Sequence, residues 1–400
     1  VNDAPAIEVG GQGKIVYESG LPEGSGNGPT AIIADGTFTV SDPDGLDDIA
    51  SITLGDQVFT VGDGPGEFAD LASMVGQSFD TTYGTVTITG FEDGTFTFEY
   101  ELDTPSTDVV NAPETDSFNV AVSDGSAEAS AVASVEIADD EPTANADTNN
   151  VNEGASVDGN VLTDGTDDVL GADGPVATNA AVVGVAAGDD DTAPVSGQTG
   201  VQIAGDHGFL TLNANGTYTY TATADDITAD TTDTFVYTIE DGDGDLSTTT
   251  LTINVADVTV TTTVAEASDV IVDEAALPVG SDSASEDETA TGNLESSGGT
   301  GPYTYALVAD AATHYGTLTV NTDGSYSYTL DTVTDGDAVT DTFTFESTDA
   351  NGNTATNTIT ISIVDDIPTA NADTANVNEG ASVDGNVLTD GTDDVLGADG

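Results

Sequence analysis

Two short loops place an oxygen-bearing side chain at every second position, and this spacing could hold a metal ion. The residues are Asp241, Asp243 and Asp245 in one loop, and Asp349, Asn351 and Asn353 in the other. Small residues between them let a tight loop turn several oxygens toward one hard cation such as Ca²⁺. A related third loop is reduced to Asp124. The alternative is that Asp, Asn and Gly simply form good turns on a solvated surface.

A second set of acidic residues lies on both sides of a proline and occurs twice. The two copies are Asp139, Asp140, Asn145 and Asp147 around Pro142, and Asp365, Asp366, Asn371 and Asp373 around Pro368. Asp257 holds the corresponding place at a third point of the chain, where no proline follows. Clustered carboxylates repel one another unless something neutralises them, so the pattern favours a bound cation. The alternative is an acidic, flexible linker.

The charge balance excludes several classes of function. The 400 residues include 74 acidic side chains and a single basic one, Lys14, which gives a formal charge of −73. Such a chain cannot neutralise phosphates, so nucleic acids and anionic lipid surfaces are excluded as partners. Thiol chemistry and disulfides are excluded because there is no cysteine. His207 and His314 are expected to play structural roles at strand edges, so no catalytic residue is predicted and the chain is not expected to be an enzyme.

Internal repeats show how these acidic groups are positioned. Residues 142–174 recur at 368–400 with one substitution, Asn149 against Ala375, and the offset is 368 − 142 = 226 residues. Near-identity over 33 residues indicates tandem duplication. We therefore expect a fragment of a longer repetitive protein. A weaker repeat, 233–258 against 341–366, divides the 226-residue unit into two modules.

Period-two alternation predicts β-structure throughout. Three segments, 84–100, 208–221 and 315–329, alternate Thr, Tyr, Phe, Val and Leu around an Asn-Gly or Asp-Gly pair, which predicts β-hairpins. Phe68 to Val75 suggests one short helix. No stretch approaches the roughly 20 apolar residues of a membrane span, so no membrane insertion is expected.

The expected fold is all-β, an elongated array of tandem antiparallel β-sandwich modules of the Ig or cadherin type. The expected domains are a long module at 1–140, modules at 141–257 and 258–366, and the truncated start of a further copy at 367–400. This last stretch is too short to bury a core. We expect it to be poor in strands unless a neighbouring chain supplies the rest.

The acidic hairpin loop, the Asp-Asp-x-Pro junction and the Val-x-Glu start of each module recur in order, and together they resemble a known group. The chain is similar to the VCBS and cadherin-like tandem repeats of large bacterial adhesins exported by type I secretion, the RTX and biofilm-associated class. The resemblance implies cell adhesion, an extracellular location on the bacterial surface and Ca²⁺ as cofactor. By position it also makes ligands of the Val-x-Glu glutamates, Glu18, Glu153 and Glu274.

The function expected from these patterns is a structural spacer or adhesion repeat stiffened by Ca²⁺ at its acidic junctions. Its expected partners are neighbouring modules of the same protein, other copies in a filament or cell contact, and a surface glycan. Two alternatives belong to other classes: a self-assembling surface filament built by strand donation, and a carbohydrate-binding domain formed by one module. A third, adaptation to high salt, predicts that monovalent salt replaces calcium.

Overall fold

Three pairs of β-sheets follow one another along the chain in the computed structural model, which describes residues 2–26, 28–107, 113–225, 227–265, 270–336 and 338–400. The first predicted module begins at Val1, which lies outside the described residues. Each pair of sheets is called here the first, second or third sandwich. The all-β prediction is confirmed.

The first sandwich has ten strands in two five-stranded sheets, ordered β1-β3-β8-β7-β6 and β2-β10-β9-β4-β5. The strands are β1 (Ala6–Gly10), β2 (Ile15–Tyr17), β3 (Ile33–Ser41), β4 (Ser51–Leu54), β5 (Gln57–Thr60), β6 (Ser78–Asp80), β7 (Gly84–Glu92), β8 (Thr95–Leu102), β9 (Glu114–Ser123) and β10 (Glu128–Ala138). Their alternating apolar residues meet in one core, where the rings of Phe38 and Phe96 stack with centroids 4.7 Å apart.

The second sandwich has eight strands, ordered β11-β18-β17-β13 and β12-β16-β15-β14. The strands are β11 (Asp147–Asn152), β12 (Ser156–Asn160), β13 (Val182–Ala187), β14 (Gln202–Ala204), β15 (Gly208–Leu212), β16 (Thr217–Ala222), β17 (Thr231–Glu240) and β18 (Leu246–Ala256).

The third sandwich also has eight strands, ordered β19-β21-β24-β23 and β20-β26-β25-β22. The strands are β19 (Thr261–Val264), β20 (Ile271–Asp273), β21 (Thr289–Ser297), β22 (Thr304–Leu307), β23 (Gly316–Val320), β24 (Ser325–Leu330), β25 (Val339–Thr348) and β26 (Thr354–Val364).

Each sandwich carries a short strand beside its last strand, and this strand ends where a Val-x-Glu glutamate begins. In the first and third sandwiches the pairing is parallel: β2 runs along β10 and β20 along β26. In the second sandwich β11 is the neighbour of β18. The glutamates therefore occupy equivalent positions at the end of each sandwich.

The predicted hairpins are confirmed. β7 pairs with β8, β15 with β16 and β23 with β24, all around their Asn-Gly or Asp-Gly turns. Gly324 at one of these turns has φ +87°, a conformation that favours glycine. The helix predicted from Phe68 to Val75 is shorter in the structure than predicted. It is a 3₁₀ turn over Leu71–Met74, and the Asp70 side chain caps it. Leu71 and Met74 are buried, so two apolar contacts with the sandwich core account for the apolar pattern there.

Residues 367–400 form no strand beyond the isolated bridge between Thr369 and Val395, as the sequence predicts. Val377 is 55% exposed, whereas its counterpart in the second sandwich, Val151, is 7% exposed.

By compactness the chain divides into two units. The first comprises Val1–Asn149, Val157–Tyr220 and Asp233–Ile253. The second comprises Asn150–Ser156, Thr221–Thr232 and Asn254–Gly400. The acidic pattern around Pro142 is called here the first junction, the one at Asp257 the second junction, and the one around Pro368 the third junction. Each of the three junctions lies within one unit.

Candidate metal centre

Glu18 is the innermost acidic residue of the first junction. It begins a 3₁₀ turn directly after β2 and is fully buried. Its Oε1 accepts hydrogen bonds from the backbone N–H of Ser106 at 2.6 Å and from Ser106 Oγ at 2.7 Å. Its Oε2 is buried and has no hydrogen-bond partner. Burial, above all, raises the pKa of Glu18. A buried carboxylate oxygen without a hydrogen-bond donor destabilises the folded state, so this position favours binding of a cation or a proton.

Acidic side chains from two sandwiches meet Glu18 at this junction. Three groups of carboxylates each have ligand atoms within 4.8 Å of one another. They are Glu18 with Asp139 and Asp173, Asp139 with Glu141 and Asp245, and Asp241 with Asp243 and Asp245. Because Asp139 and Asp245 are each shared by two groups, the seven residues form one continuous cluster, called here the first acidic cluster.

The hairpin loop between β17 and β18 supplies three of these residues. Asp241 is fully buried, and its Oδ1 accepts hydrogen bonds from the backbone N–H of Gly244 at 3.0 Å and of Asp245 at 2.7 Å. These bonds fold the loop tightly, and Asp241 Oδ2 is left buried without a partner. At Gly242 a Cβ would lie 2.6 Å from the carbonyl oxygen of Asp173, so the loop approaches that residue as only glycine allows.

Proton affinity in the first acidic cluster is unusually high. Burial raises the pKa of Asp173 to about 7, and the charge of Glu18 adds to this. Burial likewise raises the pKa of Asp139, with contributions from Asp245 and Asp243, and that of Asp243, with contributions from Asp241 and Asp173. The cause is common to all: carboxylates are held together away from water with no basic side chain among them.

The donor set fits a hard cation. All seven side chains offer carboxylate oxygens, which Ca²⁺ binds six to eight at a time at about 2.3–2.6 Å. Ligand atoms within 4.8 Å of one another can share such an ion. Soft or nitrogen-preferring metals are disfavoured, because the cluster contains neither Cys nor His.

The other predicted ligands at the first junction are hydrogen-bonded to structural partners, although Oδ1 of Asp147 is buried without one. Asp140 accepts hydrogen bonds from Ser25 N at 2.7 Å and from Ser25 Oγ at 2.5 Å. The backbone N–H of Asn145 donates to Asp168 Oδ1 at 2.6 Å. Asp147 is buried and accepts from the Tyr237 hydroxyl at 3.1 Å, and burial raises its pKa to about 7. These three residues shape the junction around the acidic cluster.

The third junction repeats part of this arrangement with the second copy of the duplicated segment, but among the described residues none of the close acidic groups includes one of its members. Glu274 is fully buried, its Oε1 accepts from Thr334 N at 2.6 Å, and its Oε2 is unpartnered. Asp366 accepts from Ser281 N at 2.8 Å, as Asp140 does from Ser25. Burial raises the pKa of Glu274, and the nearby charges of Asp399 and Asp365 contribute. The loop is also repeated: Asn371 N donates to Asp394 Oδ1 at 2.6 Å, and Asp373 corresponds to Asp147.

The second junction brings Glu153 together with the loop of Asp349, Asn351 and Asn353. The side-chain amide of Asn353 approaches the Glu153 carbonyl at 3.5 Å. Burial alone would raise the pKa of Asp349, but hydrogen bonds from Thr300 N and from Asn353 outweigh it and lower that pKa. Among the described residues, none of the close acidic groups includes a member of this junction.

The remaining predicted ligands lie apart from the first acidic cluster. Asp124 folds its own turn by accepting from the backbone N–H groups of Ser126 and Ala127, both at 2.6 Å. Those two bonds lower the pKa of Asp124. The backbone N–H of Asp257 donates to Asp230 Oδ1 at 3.0 Å.

Sequence reasoning missed five members of the close acidic groups, which are Asp173, Glu141, Asp42, Asp44 and Asp48. Asp173 and its counterpart Asp399 end the two copies of the duplicated segment, so their recurrence at one distance from each junction was the available signal. Glu141 stands inside the junction motif and carries a carboxylate like its neighbours. A separate close group after β3 consists of Asp42, Asp44 and Asp48. The spacing of these aspartates in the sequence was the signal that could have revealed the group.

Residues 139–254 match the family model described as a bacterial Ig domain. The matched span covers most of the second sandwich. No curated protein matches the chain. Similar solved structures include the extracellular cadherin domains 1–4 of protocadherin gamma B7, at 13% identity over 90% of this chain and 77% of that chain, with a TM-score of 0.33. Mouse cadherin-23 EC22–24 gives 15% identity, 91% and 99% coverage, and a TM-score of 0.31.

The titin fragment I67–I69 is 9% identical over 91% of this chain and 99% of that chain, with a TM-score of 0.29. The fold is a tandem array of β-sandwiches, and the second of them is the one matched by the bacterial Ig domain model. Among the described residues, no helix is long and apolar enough to cross a bilayer.

Proposed function

We propose that this chain is a spacer segment of an extracellular bacterial adhesin, in which Ca²⁺ at acidic junctions stiffens an array of β-sandwiches. The sequence resemblance to VCBS repeats of type I-secreted, biofilm-associated adhesins supports the location and the export route. The repeated sandwiches support a structural role, because Ig-like repeats serve mainly as structural modules. The proposal gives the chain no catalytic activity.

One observation carries the calcium proposal: Glu18 Oε2 and Asp241 Oδ2 are buried carboxylate oxygens without hydrogen-bond partners, in a cluster of seven acidic residues. Without a counter-ion these groups repel one another at a short range where salt screens them poorly. A bound Ca²⁺ removes this repulsion and links residues that come from two sandwiches. It would thereby restrict the angle between them. Extracellular calcium modules typically bind with dissociation constants of about 10⁻⁴ to 10⁻³ M.

The test is thermal unfolding and small-angle scattering of the 400-residue chain in millimolar Ca²⁺, in chelator, and in chelator with high NaCl. We expect calcium to raise the unfolding temperature and the radius of gyration, and NaCl not to replace it. Glu18→Gln should weaken the calcium response. Glu23→Gln, an exposed change of the same charge in the same segment, should not.

Two results would contradict the proposal. If calcium changes neither unfolding nor shape, the metal assignment is wrong. If NaCl reproduces the calcium effect in full, the acidic residues act through general screening, as adaptation to high salt predicts.

Strand donation between copies is the second candidate, since residues 367–400 differ from residues 142–174 at one position only apart from the extra residue Ile367. If this segment replaced residues 142–174 of another copy, it would expose an almost identical sequence there. The exchange gains no apolar burial and pays the entropy of association. The spacer role is therefore favoured, and sedimentation from micromolar to millimolar protein would reveal assembly if donation occurs.

A further inference from the structure

The hairpin loops of the first and second junctions occupy equivalent positions but differ in how their leading aspartate is satisfied. Asp241 in the first has one buried oxygen without a partner. Both oxygens of Asp349 in the second are used. Oδ1 accepts from Asn351 N and Asn353 N, each at 2.9 Å, and Oδ2 accepts from Thr300 N at 2.9 Å and from Asn353 Nδ2 at 3.2 Å.

The glutamates that face these loops differ in the same way. Glu18 Oε2 has no hydrogen-bond partner at the first junction. At the second, Glu153 Oε1 accepts from Val258 N at 2.9 Å and Oε2 from Ile227 N at 3.4 Å. Backbone N–H groups therefore reach both carboxylate oxygens of the glutamate at the second junction, whereas at the first junction they reach only Oε1.

Direct hydrogen bonds also join the two sides of the second junction. The Asp225 carboxylate accepts from Thr354 N at 2.9 Å and from Thr354 Oγ1 at 2.6 Å, and Asp225 N donates to Asn353 Oδ1 at 3.3 Å. Gly154 has φ +72°, and a Cβ there would lie 2.5 Å from the Asn351 carbonyl oxygen. The chain segments are in close contact, and a hydrogen-bonded path crosses the junction without an intermediary.

Charge is lower at the second junction as well. Asn351 and Asn353 stand where the first junction has Asp243 and Asp245, which removes two negative charges. The Asn353 amide donates to Asp349, which a carboxylate in its place could not do. The substitution therefore exchanges a cation ligand for a hydrogen-bond donor.

We propose that the second junction closes without a cation, while the first requires one. This rests on the proposed calcium function, and it makes the array heterogeneous, because neighbouring junctions of one chain differ in their need for a cation. Withdrawing calcium therefore loosens the first junction, while the second and third sandwiches remain joined.

The test is hydrogen–deuterium exchange of the 400-residue chain with Ca²⁺ and with chelator. At the first junction the amides of Ser106, Gly244 and Asp245 should exchange about tenfold faster in chelator. At the second junction the amides of Val258 and Thr354 should remain protected and change less than about twofold.

Two equivalent substitutions provide the matched comparison. Glu18→Gln should weaken the calcium response of the first junction. Glu153→Gln should speed exchange at Val258 to the same degree with and without calcium, and should leave the first junction responsive.

The outcomes separate the two proposals. Calcium-dependent protection at both junctions would overturn this inference and leave the calcium spacer standing. Rapid exchange at the second junction in both conditions would also overturn it. No calcium effect at either junction would overturn the proposed function itself.

Discussion

The hydroxyl of Tyr328 donates a hydrogen bond of 3.0 Å to Oδ2 of Asp341, and both residues are buried in the third sandwich. The same oxygen accepts the backbone N–H of Tyr315 at 3.0 Å. The equivalent pairs are Tyr100 with Asp116 at 2.9 Å and Tyr220 with Asp233 at 2.7 Å. Each sandwich thus ties its central hairpin to the start of a long strand through one buried carboxylate.

Replacing Tyr328 by Phe should destabilise the third sandwich by about 1–3 kcal/mol, because it removes a donor from a buried carboxylate. Chemical denaturation measured at several wavelengths would give this change in unfolding free energy. Tyr303→Phe is the control. The Tyr303 hydroxyl donates to the exposed carbonyl of Gly298, and water can replace it as the donor. We therefore expect this variant to lose less than about 0.5 kcal/mol of unfolding free energy. Equal losses for both variants would contradict the prediction.

His314 should make the third sandwich sensitive to alkaline pH. Its Nδ1 lies 2.6 Å from Asp341 Oδ1 and its Nε2 lies 3.0 Å from Asp310 Oδ1. Hydrogen bonding to Asp341, and then to Asp310, raises the pKa of His314. A raised pKa means that the stabilisation is complete below the unfolded value of about 6.5 and is lost as pH rises through the folded value.

We therefore expect His314→Gln to lower the unfolding temperature at pH 5.5 and to have a smaller effect at pH 9. His207→Gln is the matched control, because His207 precedes the equivalent hairpin, where its backbone N–H meets Asp233. A difference between wild type and His314→Gln that does not change with pH would contradict this interpretation.

The first junction should respond to pH in the same direction when calcium is withdrawn. The pKa of Asp173 is raised to about 7, and those of Asp139 and Asp243 are also raised. Their contribution to stability is therefore complete below about pH 4 and is lost as pH rises through about 7. In chelator, calorimetry should show unfolding at a lower temperature at pH 8 than at pH 5.5.

Calcium should reverse this trend, because it replaces the bound protons. Titration calorimetry in two buffers of different ionisation enthalpy should reveal proton release, and calcium affinity should be higher at pH 8 than at pH 6. Binding that is independent of pH and releases no protons would place the ion away from these residues.

Gly171→Ala should weaken calcium binding through the position of Asp173. Gly171 has φ +73°, and a Cβ there would lie 1.9 Å from the carbonyl oxygen of Asp140. The loop must shift to accept the side chain and would carry Asp173 away from Glu18. Gly174→Ala is the control, because φ is similar at +67° but the space around it is open. Calcium titration should show a weaker affinity for Gly171→Ala only.

Much of the fold could be predicted from local sequence. Alternation and Asn-Gly or Asp-Gly turns located the three hairpins, since these depend on residues close in the chain. The helix expected at Phe68 to Val75 was overestimated, because an apolar pair that packs on a sandwich looks like part of a helical period.

The site was less predictable because its parts are distant in sequence. Asp241 could be found from its loop, but the contact of Glu18 with Asp173 joins residues from separate modules. Whether a carboxylate meets another carboxylate or a backbone N–H is decided by the packing of those segments. This is why Asp349 could not be distinguished from Asp241 by spacing alone.

The two copies of the 33-residue segment also bear on the order of folding. The same loop contact is present in both copies: Asn371 N donates to Asp394 Oδ1 in 368–400, as Asn145 N donates to Asp168 Oδ1 in 142–174. This loop spans only 23 residues and needs no distant partner. Short-range closure is fast, whereas the pairing of β11 with β18 must wait for about 100 further residues. During synthesis from the N-terminus, the loop at each junction could therefore form before the sandwich that follows it has folded.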